Sequence, residues 1–191
     1  LESVPNLVAY WDFSDEDYLT ATGVDATLQA AQEAMPTLIE QGPLSQRSLH
    51  FDGNDYLYIP YDNSGRLNVK SGEVTVVAWV RWSGEQTGFV AGMWNEYEDG
   101  GKRQYGLFVS LPHYNGAHQV CGHISQTGKP TPPFPYSIDY SASRQRVPAN
   151  EWCVVAFTYD GEYIRSYYNG RFEEREEELI NHTKGFEGYP D

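Results

Sequence analysis

Two turn dipeptides divide residues 151–171, EWCVVAFTYDGEYIRSYYNGR. Asp160-Gly161 separates two apolar runs, and Asn169-Gly170 closes the second. Both dipeptides favour the positive φ angles of tight hairpin turns. The stretch therefore reads as strand, turn, strand, turn, and the functional question becomes what a sheet of this kind presents.

Strand signals of the same sort recur along the chain between Gly, Pro, Asn and Asp. LVAYWDF (7–13) is expected as a first strand, and SLHFDGNDYLYIP (48–60) as two short strands about a DGND turn. EVTVVAWVRW (73–82) is almost continuously apolar and β-branched, the pattern of a central strand covered on both faces. GFVAGMW (88–94), QYGLFVS (104–110) and QVCGHIS (119–125) follow. One helix is expected, over ATLQAAQEAM (26–35), where alanine-rich propensity runs up to Pro36. The fold class is thus all-β: a two-sheet antiparallel β-sandwich, or jelly roll, with one short helix at most. At 191 residues the chain is expected to form a single domain, 1–191.

Two segments read as insertions. Residues 94–103, WNEYEDGGKR, mix aromatic and charged side chains in a turn-rich loop. Residues 126–148 carry KPTPPFPYSIDYSASRQRVP, where clustered prolines stiffen the backbone without forming sheet.

Charge and cysteine content narrow the function classes. Thirteen basic against 27 acidic residues give a net charge of −14. That field repels nucleic acid and anionic membranes, which are held by neutralising phosphates, and it tilts against strongly anionic polysaccharides unless a local basic patch overrides it. No apolar run reaches the length of a membrane span. Cys121 and Cys153 are too few for a disulfide framework and form no CxxC, so the reading is two buried thiols, with a bond between them as the alternative. There is no GxSxG elbow, no HExxH and no phosphate-binding glycine loop.

LVAYWDF, SLHFDGNDYLYIP, VTVVAWVRW and EWCVVAFTYDGEYIRSYYNGR occur in the order and spacing of laminin-G-like jelly-roll domains. Over about Leu7 to Arg171 the chain resembles that group, part of the broader concanavalin A-like lectin and glucanase class. The resemblance implies the sandwich. It leaves the activity open, because that class holds lectins, glycosidases, lyases and adhesion modules. In such domains further strands follow the last Asn-Gly turn, whereas here Arg171 is followed by a charge run and a Gly/Pro ending. The expectation is a domain lacking its final strands, completed by other domains or by a second chain.

The resemblance also implies a structural calcium, for which Asp52 and Asp55 of FDGND are the candidate ligands. Ordinary turn roles for both aspartates are the competing reading. Carbohydrate binding calls for aromatic rings to stack on sugar C–H faces and for polar groups to bond the hydroxyls. Trp94, Tyr97, Tyr105, His113, Tyr114, Tyr136 and Tyr140 lie in or beside the two insertions and are the candidates.

Glycosidase chemistry needs paired carboxylates, and NEYEDGG lacks the strand pattern of the sandwich glucanases. A polysaccharide lyase is the enzymatic alternative. By resemblance to jelly-roll lyases, His123 with Tyr168 or its neighbour Tyr167 would divide the proton transfers, and Arg103 or Arg165 would meet a uronate carboxylate. The expected function is a lectin-like module that binds a polysaccharide or glycan within a larger secreted or cell-surface protein. A non-catalytic adhesion domain is a further alternative.

Overall fold

Short, turn-punctuated runs fold into short strands, and eleven form among the described residues, together with two 3-10 turns. The computed structural model describes residues 3–24, 26–31, 35–43, 47–70, 72–96, 102–112, 116–125, 127–133 and 137–174. Within these no helix is long and apolar enough to cross a membrane. Contacts divide the chain into two units, which meet in sequence between Asn68 and Val69.

The first unit is built from minimal ladders. Strand β1 (Gln29–Ala30) pairs antiparallel with β4 (Leu57–Tyr58), and β2 (Thr37–Ile39) with β3 (Ser48–His50). The helix expected over 26–35 is not formed at its described positions, because Gln29 and Ala30 instead join a ladder with Tyr58 and Leu57. A helix of that length is marginal by itself, so tertiary pairing overrides its propensity. The helical turns of this unit are 3-10 turns at Tyr61–Asn63 and Gly65–Leu67. LVAYWDF contributes a single bridge, Tyr10 to Thr22, rather than a strand. The two strands expected around DGND exist, yet each pairs with an earlier strand and not with the other.

The second unit is the sandwich. Its strands are β5 (Val74–Arg81), β6 (Gly88–Asn95), β7 (Lys102–Leu111), β8 (Gly116–Ile124), β9 (Tyr140–Arg146), β10 (Trp152–Tyr159) and β11 (Ile164–Tyr168). One antiparallel sheet has the order β11-β10-β5 and the other β6-β7-β8-β9. The inner faces meet in one cluster. Tyr105, Leu107 and Val109 of β7 with Val120 and Ile124 of β8 pack with Val155, Phe157 and Tyr159 of β10 and Ile164 of β11. Alternation along each strand sends every second side chain to this core.

At one corner the sheets come close enough for direct polar contact. Ser141 Oγ of β9 and Ser166 Oγ of β11 lie 2.7 Å apart, and Gly122 N–H of β8 donates to Ser166 Oγ at 3.0 Å. The same corner requires glycine at 122, since a Cβ there would lie 2.5 Å from Phe157 Cβ.

The hairpin expected at 151–171 is present. Asn169 and Gly170 have φ of 47° and 74°, as expected of that dipeptide, whereas in the four-residue loop 160–163 only Gly161, at 92°, and not Asp160, takes a positive φ. Two other expectations change. Strand β5 is not covered on both faces: Val76, Ala78 and Val80 pack on the core, while Val77 on the other face is 60% exposed and Trp79 is exposed beside it. The second insertion contains a strand, β9, whose Ser141, Ala142 and Ser143 are buried against β8. Small residues let β9 pack where a bulky apolar strand would not fit, so its polar sequence disguised it. Cys121 and Cys153 are both buried free thiols.

Candidate saccharide-binding face

The sheet β6-β7-β8-β9 has a second face, turned away from the core, and register decides what stands on it. Phe108 is opposite Phe89 on β6 and Cys121 on β8, His123 is opposite Tyr140 on β9, and Trp94 is opposite Arg103. Met93 and Trp94 alternate, so Met93 packs on the core while Trp94 joins Phe108 on the outer face, and the register shift beside them sets Arg103, two residues from Tyr105, opposite Trp94.

The result is an aromatic cluster centred on His123. The His123 ring stacks on Tyr140 with centroids 5.1 Å apart and planes 22° apart. It meets Trp94 edge-on at 4.9 Å and Phe108 edge-on at 5.6 Å. Trp94 and Phe108 also contact each other at 5.9 Å, and Phe89 packs on Phe108 at 5.1 Å. Edge-to-face and offset contacts of this length each add modest stability beyond area burial. Arg103 closes one side: its guanidinium carbon is 6.0 Å from the Trp94 ring centre and its Nε lies 3.6 Å from Glu96 Oε1.

Burial separates a floor from a rim. His123 is 2% exposed, and Phe108, Cys121, Tyr140 and Arg103 are buried with it. Phe89 is 51% exposed and Trp94 is half-buried, so these two rings reach solvent from a fixed base. Burial, with Arg103 nearby as a second cause, pushes the His123 imidazole down to about 3. The ring is therefore neutral at ordinary pH. A base so weak, and so enclosed, is poorly matched to abstracting a sugar proton near neutrality.

The residues named from sequence are distributed as follows. Trp94 and Tyr140 come together at His123, and Arg103 joins them. Tyr105 lies on the opposite side of β7, in the core, where burial pushes its phenol up to about 12. Tyr97, His113, Tyr114 and Tyr136 lie outside the described residues. Of the groups considered for lyase chemistry, His123 and Arg103 are neighbours, whereas Tyr168 is on β11 of the other sheet and packs against the core cluster. Phe89 was not singled out from sequence. Its signal was the alternation in GFVAGMW, which puts Phe89 on the face opposite Val90.

At the DGND turn one oxygen of each aspartate carboxylate accepts a backbone N–H. Asp52 N–H donates to Asp55 Oδ1 and Asn54 N–H to Asp52 Oδ1, both at 2.8 Å. Two aspartates supply only part of the about six to eight oxygens that calcium takes. Among the described residues no group of three or more His, Cys, Asp and Glu gathers as a metal site would require.

Comparison with known proteins places this architecture. No curated protein sequence matches the chain. Among solved structures, domain 4 of AbnA, a GH43 extracellular arabinanase from Geobacillus stearothermophilus, in complex with arabinotriose, is similar to it, with a TM-score of 0.59. That likeness covers 96% of this chain and 79% of the other at 15% sequence identity, so it speaks for the fold. The Laminin_G_3 family profile matches residues 51–185, most of the chain and all seven strands of the sandwich. The chain belongs to that family, within the concanavalin A-like lectin/glucanases superfamily.

Proposed function

We propose that this chain is a non-catalytic saccharide-binding module, and that the outer face of β6-β7-β8-β9 carries the site. Phe89 and Trp94 stack on the C–H faces of sugar rings, and Glu96, held beside the buried Arg103, bonds the hydroxyls alongside. The observation that carries this reading is the rigid aromatic floor of Phe108, His123 and Tyr140 beneath two rings that reach solvent. Rings held in place in this way lose little freedom on binding, which favours affinity. The arabinotriose complex of the similar arabinanase domain adds support for a saccharide as the ligand class. A place within a larger secreted or cell-surface protein belongs to the same proposal, by analogy with a domain of an extracellular enzyme.

The test is affinity for a soluble polysaccharide panel, arabinan included, measured by calorimetry on the protein and on Trp94→Ala. Losing one stacking ring is expected to weaken binding about tenfold, equivalent to about 1.4 kcal/mol. Phe89→Ala is expected to act in the same direction. Unchanged affinity in both variants would remove this face from the account.

A further inference from the structure

The end of the β10–β11 hairpin holds a hollow built differently from the Trp94 face. Asp160 organises it: its Oδ1 accepts N–H bonds from Glu162 at 3.0 Å and Tyr163 at 2.7 Å, while Oδ2 accepts from Arg165 Nη1. The guanidinium so held lies over the Tyr163 ring, 5.1 Å from its centre. On the far side Phe172 packs on Tyr167 at 5.7 Å. Between these groups is a hollow of about 350 Å3, lined by Tyr163, Arg165, Phe172 and Glu174. That volume falls among small-molecule sites, which span about 300–1,000 Å3.

The lining selects a ligand class. Tyr163 and Phe172 are exposed rings, so each offers apolar surface to a partner. Arg165 spends one donor on Asp160, and its planar fork has others to give. Glu174 is an exposed carboxylate that accepts. An anionic ligand would meet Glu174 and a guanidinium already neutralised by Asp160. A purely apolar ligand would cover Arg165 and Glu174 without bonding them, which costs free energy. An uncharged ring with apolar C–H faces and vicinal hydroxyls satisfies all four groups.

We propose that the hollow bounded by Tyr163, Arg165, Phe172 and Glu174 is a second saccharide-binding site, separate from the Trp94 face and specific for neutral sugar units. It stands independently of the Trp94 reading, since it lies on the other sheet and shares no residue with that face. Two such sites on one module give bivalent attachment to a polysaccharide, in which the second contact is strengthened by the first.

The experiment is amide-shift mapping by NMR on the full chain, titrated with arabinotriose, cellotriose and mannotriose. Saturable shifts are expected at residues 160–165 and 172–174 with at least one of them. Tyr163→Ala is expected to weaken that response about tenfold, Tyr163→Phe to retain it, and Trp94→Ala to leave it unchanged. Tyr163 is exposed, and an unchanged amide spectrum elsewhere in Tyr163→Ala checks its fold. Absence of shifts at these residues with all three sugars overturns the proposal, as does a response that survives Tyr163→Ala at full strength. Failure of the Trp94 face shows at residues 89–95, so the two readings fail separately.

Discussion

Acidification from the ordinary histidine range near 6.5 down to about 3 is expected to weaken the fold by up to about 1.4 kcal/mol per pH unit through His123 alone. The sign follows from the two states. In the folded chain, burial and then Arg103 hold the imidazole down to about 3, so it stays neutral across this window. In the unfolded chain it titrates near its ordinary value and takes up a proton. The unfolded state therefore binds more protons between the two values, and stability rises with pH there. Above the window both states are neutral, and below it both are charged, so the contribution levels off at each end. Asp160, held down to about 2 chiefly by the Tyr163 N–H and then by Arg165, acts from its ordinary 3.8 down to that value, overlapping only the acid end of the His123 window, and is exposed. Urea midpoints across this range, for the protein and for His123→Phe, measure the effect. The phenylalanine keeps a ring against Trp94, Phe108 and Tyr140 and removes the titration. The variant is expected to show a slope smaller by close to one proton. Equal slopes would mean that the His123 ring is hydrated in the folded state.

The second large effect lies in the core, where Phe157 of β10 faces Gly122 of β8. Phe157→Ala is expected to cost about 3–5 kcal/mol, the range for deleting a buried aromatic ring, a large fraction of the about 5–15 kcal/mol that holds a typical domain together. Gly122→Ala is expected to cost about 1–3 kcal/mol by the opposite mechanism, overpacking, because its new Cβ would meet Phe157 at 2.5 Å. Removing the ring removes the contacts with Phe157 Cγ at 2.6 Å and Cδ2 at 3.0 Å but keeps Cβ at 2.5 Å, so Gly122→Ala is expected to cost less in the Phe157→Ala background than in the wild-type chain, with part of the penalty retained. Denaturant unfolding of the two single variants and the double variant measures this coupling. Additive losses would show that the Phe157 Cβ, which alanine keeps, and not the ring, is what Gly122 accommodates.

How much of this was legible in the sequence depends on which physical signal each element carried. The β10–β11 hairpin was fully legible, since Asp160-Gly161 and Asn169-Gly170 act through local backbone conformation. Strand β5 was legible as a strand but not in its place. A run of β-branched residues reports strand propensity, while the exposure of Val77 and Trp79 follows from what lies over that face. Strand β9 was hidden because its buried residues are serine and alanine, chosen for close packing and inter-sheet hydrogen bonds that hydrophobic pattern does not register. The helix expected at 26–35 failed because a two-residue ladder with Leu57 and Tyr58 is a non-local fact.

The site was legible in parts. Trp94 and Tyr140 were named for sugar stacking, His123 for proton chemistry and Arg103 for meeting a uronate carboxylate, each from its own local context. Register across β6, β7, β8 and β9 assembles all four into one cluster. That assembly changes the role of His123, which becomes a neutral part of the floor that supports Trp94. Phe89 escaped notice because a single phenylalanine in an apolar run reads as core until the face it occupies is known.

The most direct test of non-catalytic saccharide binding follows product and retention in the same sample. The protein is incubated with a panel of neutral and uronate-containing polysaccharides, absorbance of unsaturated uronate and release of reducing ends are recorded, and insoluble material is then pelleted to score bound protein. Retention on at least one polysaccharide with no product on any is the result expected from a neutral, enclosed His123 beneath Trp94. New unsaturated product, abolished by His123→Ala, would contradict it and make this face an active site.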